Sequence, residues 1–205
     1  KKERGAYKSH AGIVFGSKGA AHERTSNDVP GPFVRSSRSM EQLDPTDLLN
    51  RLFAALLGDG VDVTAFELDH VCYRVADMGR YEALRTMLAQ QGTLLGDHVI
   101  GGRPIATFRV IEPFLFEGRS IAVIELPAPK SGSDYPEGFE HAEFVVDEGP
   151  LVFAQRYPEL KWDLAGGSKP INADVRLNYD GFSVKFHQRA LADVIADEER
   201  ERARY

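Results

Sequence analysis

With one cysteine, Cys72, in 205 residues, the chain has no means of building a disulfide scaffold or a zinc site of clustered thiolates. No apolar run approaches the roughly 18–20 residues that a bilayer-crossing helix needs, so no membrane-spanning segment is expected. Positive charge is also lacking. The 25 Lys and Arg against 31 Asp and Glu leave a net −6 at pH 7, which argues against duplex nucleic acid as the main partner. What remains is a chain that is 42% hydrophobic, enough apolar material for one domain or two small fused modules.

Residues 1–39 depart from this average. They carry eight basic residues (Lys1, Lys2, Arg4, Lys8, Lys18, Arg24, Arg35, Arg38) against Glu3, Glu23 and Asp28, and they are rich in Gly, Ser and Pro. Scattered apolar residues there cannot offset the entropy of ordering the segment, so a disordered basic tail or leader is expected. An organellar import sequence and a natural start at Met40 are the two sharper readings. A cytoplasmic setting is the expectation for the rest.

The ordered part, 40–205, opens with Asp44-Pro45, a helix N-cap followed by proline. Leu48, Leu49, Leu52, Phe53, Leu56 and Leu57 then recur at helical spacing as far as Gly58-Asp59-Gly60. A second helix is predicted over about 79–91, with Tyr81, Leu84 and Leu88 on one face. A third begins near Arg189, buries Leu191, Val194 and Ile195, and allows Glu198 to pair with Arg202.

Between the helices, apolar and polar residues alternate with the period of a strand, which sends them to opposite faces of a sheet. In Leu68–Val75, Asp69, Val71, Tyr73 and Val75 oppose Leu68, His70, Cys72 and Arg74. Segments 107–110, 121–126, 140–146, 174–179 and 182–187 read the same way. Their apolar sets include Phe108, Ile124, Phe144, Val175 and Val184, and their polar sets include Arg109, Glu125, His141, Arg176, Lys185 and His187. One face can take the helices; the other collects imidazole, carboxylate and guanidinium.

Segments 68–127 and 138–187 share an order of elements, and each opens on an acid–histidine pair, Asp69-His70 and Glu140-His141. Pro127, Pro129, Gly132 and Pro136 crowd the junction between them. This implies a duplicated βαβββ unit: module one over about 62–127, module two over about 138–188, and a C-terminal helix over 189–203. If the polar faces curve around a common cavity, His70, Glu125 and His141 converge as two imidazoles and a carboxylate, a set suited to a divalent first-row metal with open positions. The same residues also suit a solvated sheet face. Arg103, Arg109, Arg176 and Lys185 are candidates to hold a carboxylate or phosphate. Glu143 shares the face of His141 and is a candidate general base. Cys72 reads as a buried, inert thiol.

The stretches His70–Val75, Ile124-Glu125-Leu126-Pro127, His141–Val146 and Asp180–Phe186 fall in the order seen in the vicinal oxygen chelate superfamily, which includes glyoxalase I and extradiol dioxygenases. More narrowly, Gly101-Gly102-Arg103-Pro104-Ile105, Tyr135–His141 and Val184-Lys185-Phe186-His187 resemble YecM-like proteins of that superfamily. The resemblance implies an α+β fold in which paired βαβββ modules form a U-shaped, cup-like mixed sheet with helices on its outer face. It places His70, Glu125 and His141 at three of the usual metal-ligand positions. The fourth, commonly a Glu on the last strand, falls on Lys185, so His187 is the candidate substitute. The metal implied is Zn, Fe, Ni or Mn. The function expected is that of a metal-dependent enzyme, isomerase-, lyase- or dioxygenase-like, acting on a small oxygen-rich acidic substrate. A non-catalytic small-molecule binder using the same cup is the alternative, and both a monomer and a homodimer are open.

Overall fold

The computed structural model describes residues 43–130, 132 and 135–204; the expected tail over 1–39 lies outside the described residues. Helix α1 (Thr46–Gly58) starts one residue later than the Asp44 cap implies, with the Asp44 carboxylate accepting from the Thr46 amide at 2.9 Å. Strand β1 (Glu67–Arg74) leads into α2 (Met78–Gln91), whose first turn is capped by Asp77 accepting from the Arg80 amide at 2.8 Å. At Gly92 the helix passes straight into β2 (Gly92–Ile100). A Cβ at that glycine would lie 2.3 Å from the Arg109 carbonyl, so only glycine allows β2 to start there. The hairpin to β3 (Arg103–Phe116) turns on Gly101 and Gly102, both at positive φ, as a two-residue turn requires. Strand β4 (Arg119–Pro127) closes the first module.

The second module repeats the order in shorter form: β5 (Gly138–Val145), α3 (Pro150–Gln155), β6 (Trp162–Asp163), β7 (Asp174–Tyr179) and β8 (Phe182–His187), followed by α4 (Leu191–Arg202). The eight strands form one sheet in the order β2-β3-β4-β1-β5-β8-β7-β6. In each module the first strand runs parallel to the last, β1 with β4 and β5 with β8, and the modules meet antiparallel at β1 and β5. This is the paired βαβββ architecture expected from the sequence, with an approximate two-fold axis between β1 and β5.

The apolar strand face and the helices form the core. Phe108, Ile124, Leu126, Ala142, Phe144, Val184 and Phe186 are buried with Leu49, Leu52 and Leu56 of α1 and Tyr81, Leu84 and Leu88 of α2. Phe144 stacks on Phe186 at 5.8 Å, and Phe153 of α3 meets Phe186 at 4.6 Å. Two expectations are corrected. Strict alternation in 121–126 sets Ile121 on the face of Glu125, yet Ile121 is fully buried in the core. Arg202 pairs with Glu199 rather than Glu198, whose carboxylate faces His98 at 3.4 Å instead. Among the described residues no helix is long and apolar enough to cross a membrane.

Candidate metal centre

The site begins with two irregularities in the central ladder. Leu68 pairs with Phe144 and His70 with Glu143, so β1 has one extra residue, Asp69. Cys72 pairs with His141 and Tyr73 with Phe139, so β5 has one extra residue, Glu140. Such a bulge breaks the alternation locally and re-aims the side chains beside it. Asp69, assigned by strict alternation to the apolar face, therefore comes beside His70, and its carboxylate accepts from His70 Nδ1 at 2.7 Å. Glu140 does the same for His141 Nδ1. The acid–histidine pairs of the sequence are thus two bulges related by the two-fold axis.

With both Nδ1 atoms engaged, both Nε2 atoms are turned toward the cup, the arrangement that orients metal-bound histidines. They point to the same place. Glu143 Oε1 lies 3.4 Å from His70 Nε2 and 3.0 Å from His141 Nε2, and Glu125 Oε2 lies 3.6 Å from His141 Nε2. One donor atom from each of His70, Glu125, His141 and Glu143 falls within 4.8 Å of all the others. His70 Nε2 is buried and has no hydrogen-bond partner, which is costly for a polar atom unless something binds it.

The electrostatics fit a cation. Burial pushes the Glu125 carboxyl up, but the hydrogen bond from His141 and the Lys185 charge bring it down to about 2. Glu143 is likewise held well below the carboxylate range, against burial, by Lys185 and His70. Burial opposes a charged His70, yet Glu143 and Asp69 raise it to about 9. His141 is raised as well, against burial, by its contacts with Cys72 and Glu125. Two ionised carboxylates facing two imidazoles make a donor set whose negative charge a divalent ion can neutralise directly.

Lys185 stands at the fourth position. Its ammonium pairs with Glu143 and lies 3.2 Å from His141 Nε2. The registers explain the departure: Cys72 pairs with Glu125 as Glu143 pairs with Lys185. Lys185 is therefore the two-fold counterpart of Glu125, while Glu143, counterpart of Cys72, brings the second carboxylate. The alternation placed Glu143 on this face but not among the ligands; matching the two modules residue by residue is the signal that finds it.

The other expected residues divide. His187 is buried, but its Nε2 faces Asp69 at 3.3 Å and its Nδ1 faces the Asn172 amide at 2.9 Å. Its Nδ1 also lies 3.9 Å from Glu143 Oε2, and with Asp69 and His70 it forms a second group whose donor atoms are close enough to hold an ion. Arg103 is committed to the Ala128 carbonyl at 2.9 Å, and Arg109 is exposed; neither lines the cavity at His70, Glu125, Glu143 and Lys185. Arg176 is half-buried beside Lys185 in the β7–β8 register, and its charge is felt at Lys185 and Glu140. The cavity has a volume of about 280 Å³. A more open hollow of about 690 Å³, bordered by Arg51, Arg74, Tyr135 and Phe182, touches the centre only through Glu140.

Comparison with known proteins agrees with the resemblance seen in the sequence. A family model described as YecM protein matches residues 44–165. Protein YecM of Escherichia coli (strain K12) is 30% identical over 155 residues, covering 68% of this chain and 82% of that protein. An uncharacterised protein of Haemophilus influenzae (strain ATCC 51907 / DSM 11121 / KW20 / Rd) is 33% identical over 87 residues, 42% of this chain and 45% of its own length. Among solved structures, a structural-genomics protein, EC4020, superposes with a TM-score of 0.62 at 26% identity, covering 75% of this chain and 90% of that one.

Proposed function

The chain belongs to the YecM family, and from the donor set in its cup we propose that it is a divalent-metal enzyme acting on a small, oxygen-rich acidic substrate. The observation that carries this reading is the pair of histidines whose Nδ1 atoms are pinned by bulge carboxylates while their Nε2 atoms face two buried carboxylates. His70, His141, Glu125 and Glu143 would hold the ion, which would be Zn, Fe, Ni or Mn; two imidazoles and carboxylate oxygens suit each of them. When bound, the ion supplies Lewis acidity toward a substrate oxygen.

The chain's own groups do the remaining work. Asp69 and Glu140 keep His70 and His141 in the tautomer that presents Nε2. Glu143, ionised beside Lys185 and His70, suits a ligand better than a general base, because a proton acceptor works best with a pKa near the working pH. Lys185 supplies an ammonium that can hold an acidic substrate group, and Arg176 beside it is the remaining arginine placed to assist.

A second reading rests on Lys185 itself. Its ammonium already pairs with Glu143, and a cup neutralised in this way would serve a binding protein that sequesters a small molecule without chemistry. Cobalt(II) added to the metal-stripped chain distinguishes the two. One bound equivalent with a visible absorption band is the expected result. No bound cobalt overturns the metal reading and favours sequestration.

A further inference from the structure

The two bulge carboxylates do the same work from unlike surroundings. Asp69 is almost wholly buried and takes the Leu191 backbone amide at 2.9 Å, so the main chain helps to hold it. Glu140 is held by side chains. Its Oε2 meets His141 Nδ1, while its Oε1 lies 3.0 Å from the Arg74 guanidinium and accepts from Ser183 Oγ at 3.4 Å. Arg74 is fixed in turn. Its guanidinium lies 4.7 Å over the Tyr135 ring, and the Tyr135 hydroxyl accepts from the Lys130 amide at 3.1 Å. A planar guanidinium can stack on a ring and donate within its own plane at once, which an ammonium cannot.

This arm belongs to one module. Ser183 pairs with His141 where Val123 pairs with His70. Counting on from the matched histidines, Arg74 corresponds to Val145. Neither contact on Glu140 Oε1 therefore has a like counterpart at the Asp69 bulge. The difference has a physical reason: Glu is one methylene longer than Asp, so one more torsion must be frozen before its oxygen stays on the imidazole.

We propose that Arg74 is a positioning residue of the metal centre: stacked on Tyr135, it fixes Glu140, and through Glu140 it keeps His141 Nε2 turned to the ion. This rests on the metal reading proposed above. Arg74 also borders the open hollow of about 690 Å³, and its side chain is 30% exposed. A small cation from solvent can therefore reach the space that its removal would leave.

Zinc affinity of the full chain, measured by competition against a chelator, tests this. Arg74→Ala should weaken zinc binding about tenfold, the lower end of the range for groups that orient a ligand, and Arg74→Lys should recover part of the loss. Arg80→Ala removes an arginine that pairs with Glu137 at 2.6 Å and should leave zinc affinity unchanged. In a Glu140→Gln background, Arg74→Ala should cost little more, because both changes break the same arm. Millimolar guanidinium, far below denaturing strength, should restore zinc affinity in Arg74→Ala and do nothing for Glu140→Gln. A merely structural arginine would give neither result. Wild-type affinity in Arg74→Ala, a loss that adds in full to that of Glu140→Gln, or a loss that neither lysine nor guanidinium repairs overturns this inference alone. A wild-type chain that takes up no zinc overturns the proposed function, and this inference falls with it.

Discussion

At the scale of single residues, the centre is a charge problem solved in two ways. In the metal-free chain the two carboxylates of Glu125 and Glu143 are balanced by Lys185 and by protons held on His70 and His141. The sign of the pH dependence follows. His70 is raised from 6.5 to about 9, so the stability it contributes is fully present below pH 6.5 and lost as pH rises through about 9. For a ring this buried the loss is roughly 3 kcal/mol. Thermal or urea unfolding of the metal-free chain between pH 6 and 10 should show the decline, and His70→Gln should remove most of it. Lys185→Ala separates the ammonium from the ligands: metal should be retained while affinity for a carboxylate ligand falls, which equilibrium binding measures.

At the scale of elements, the two bulges matter most. Asp69→Asn and Glu140→Gln keep the shape of each side chain but remove the charge that holds a histidine in place, so each should weaken metal binding about 10–100-fold while the fold survives. Competition against a chelator of known affinity measures it. The strand faces give a contrasting test. Phe144 and Val184 are fully buried, and replacing either with Asp should cost several kcal/mol in a denaturant titration. These faces were legible in the sequence because period-2 alternation needs only local arithmetic. His70, Glu125 and His141 were legible for the same reason. The bulges were not, because an extra residue on one strand is visible only against its partner. Asp69 thus read as apolar-facing. Short or exposed elements also left no periodic signal: β6 has two residues, α3 has six, and β2 is an edge strand with mixed exposure.

At the scale of the whole molecule, duplication explains why a site forms here. Joining two βαβββ modules antiparallel at β1 and β5 brings one acid–histidine bulge from each to the middle of the sheet. Residues of β2, β3, β7 and α4 line the cavity beside His70, Glu125 and Glu143. The modules have diverged at the two positions that set the chemistry, Cys72 against Glu143 and Glu125 against Lys185. Both carboxylates therefore survive, on opposite sides of the two-fold axis. The central claim is that this asymmetric cluster binds one divalent ion. The most direct test is elemental analysis of the wild-type chain and of His70→Ala, Glu125→Ala and His141→Ala, each stripped and reconstituted identically. The account predicts about one equivalent in the wild type and a sharp loss in each variant, with a second substitution costing far less than the first because the ligands act on one ion. Equal metal content in all four proteins would contradict it.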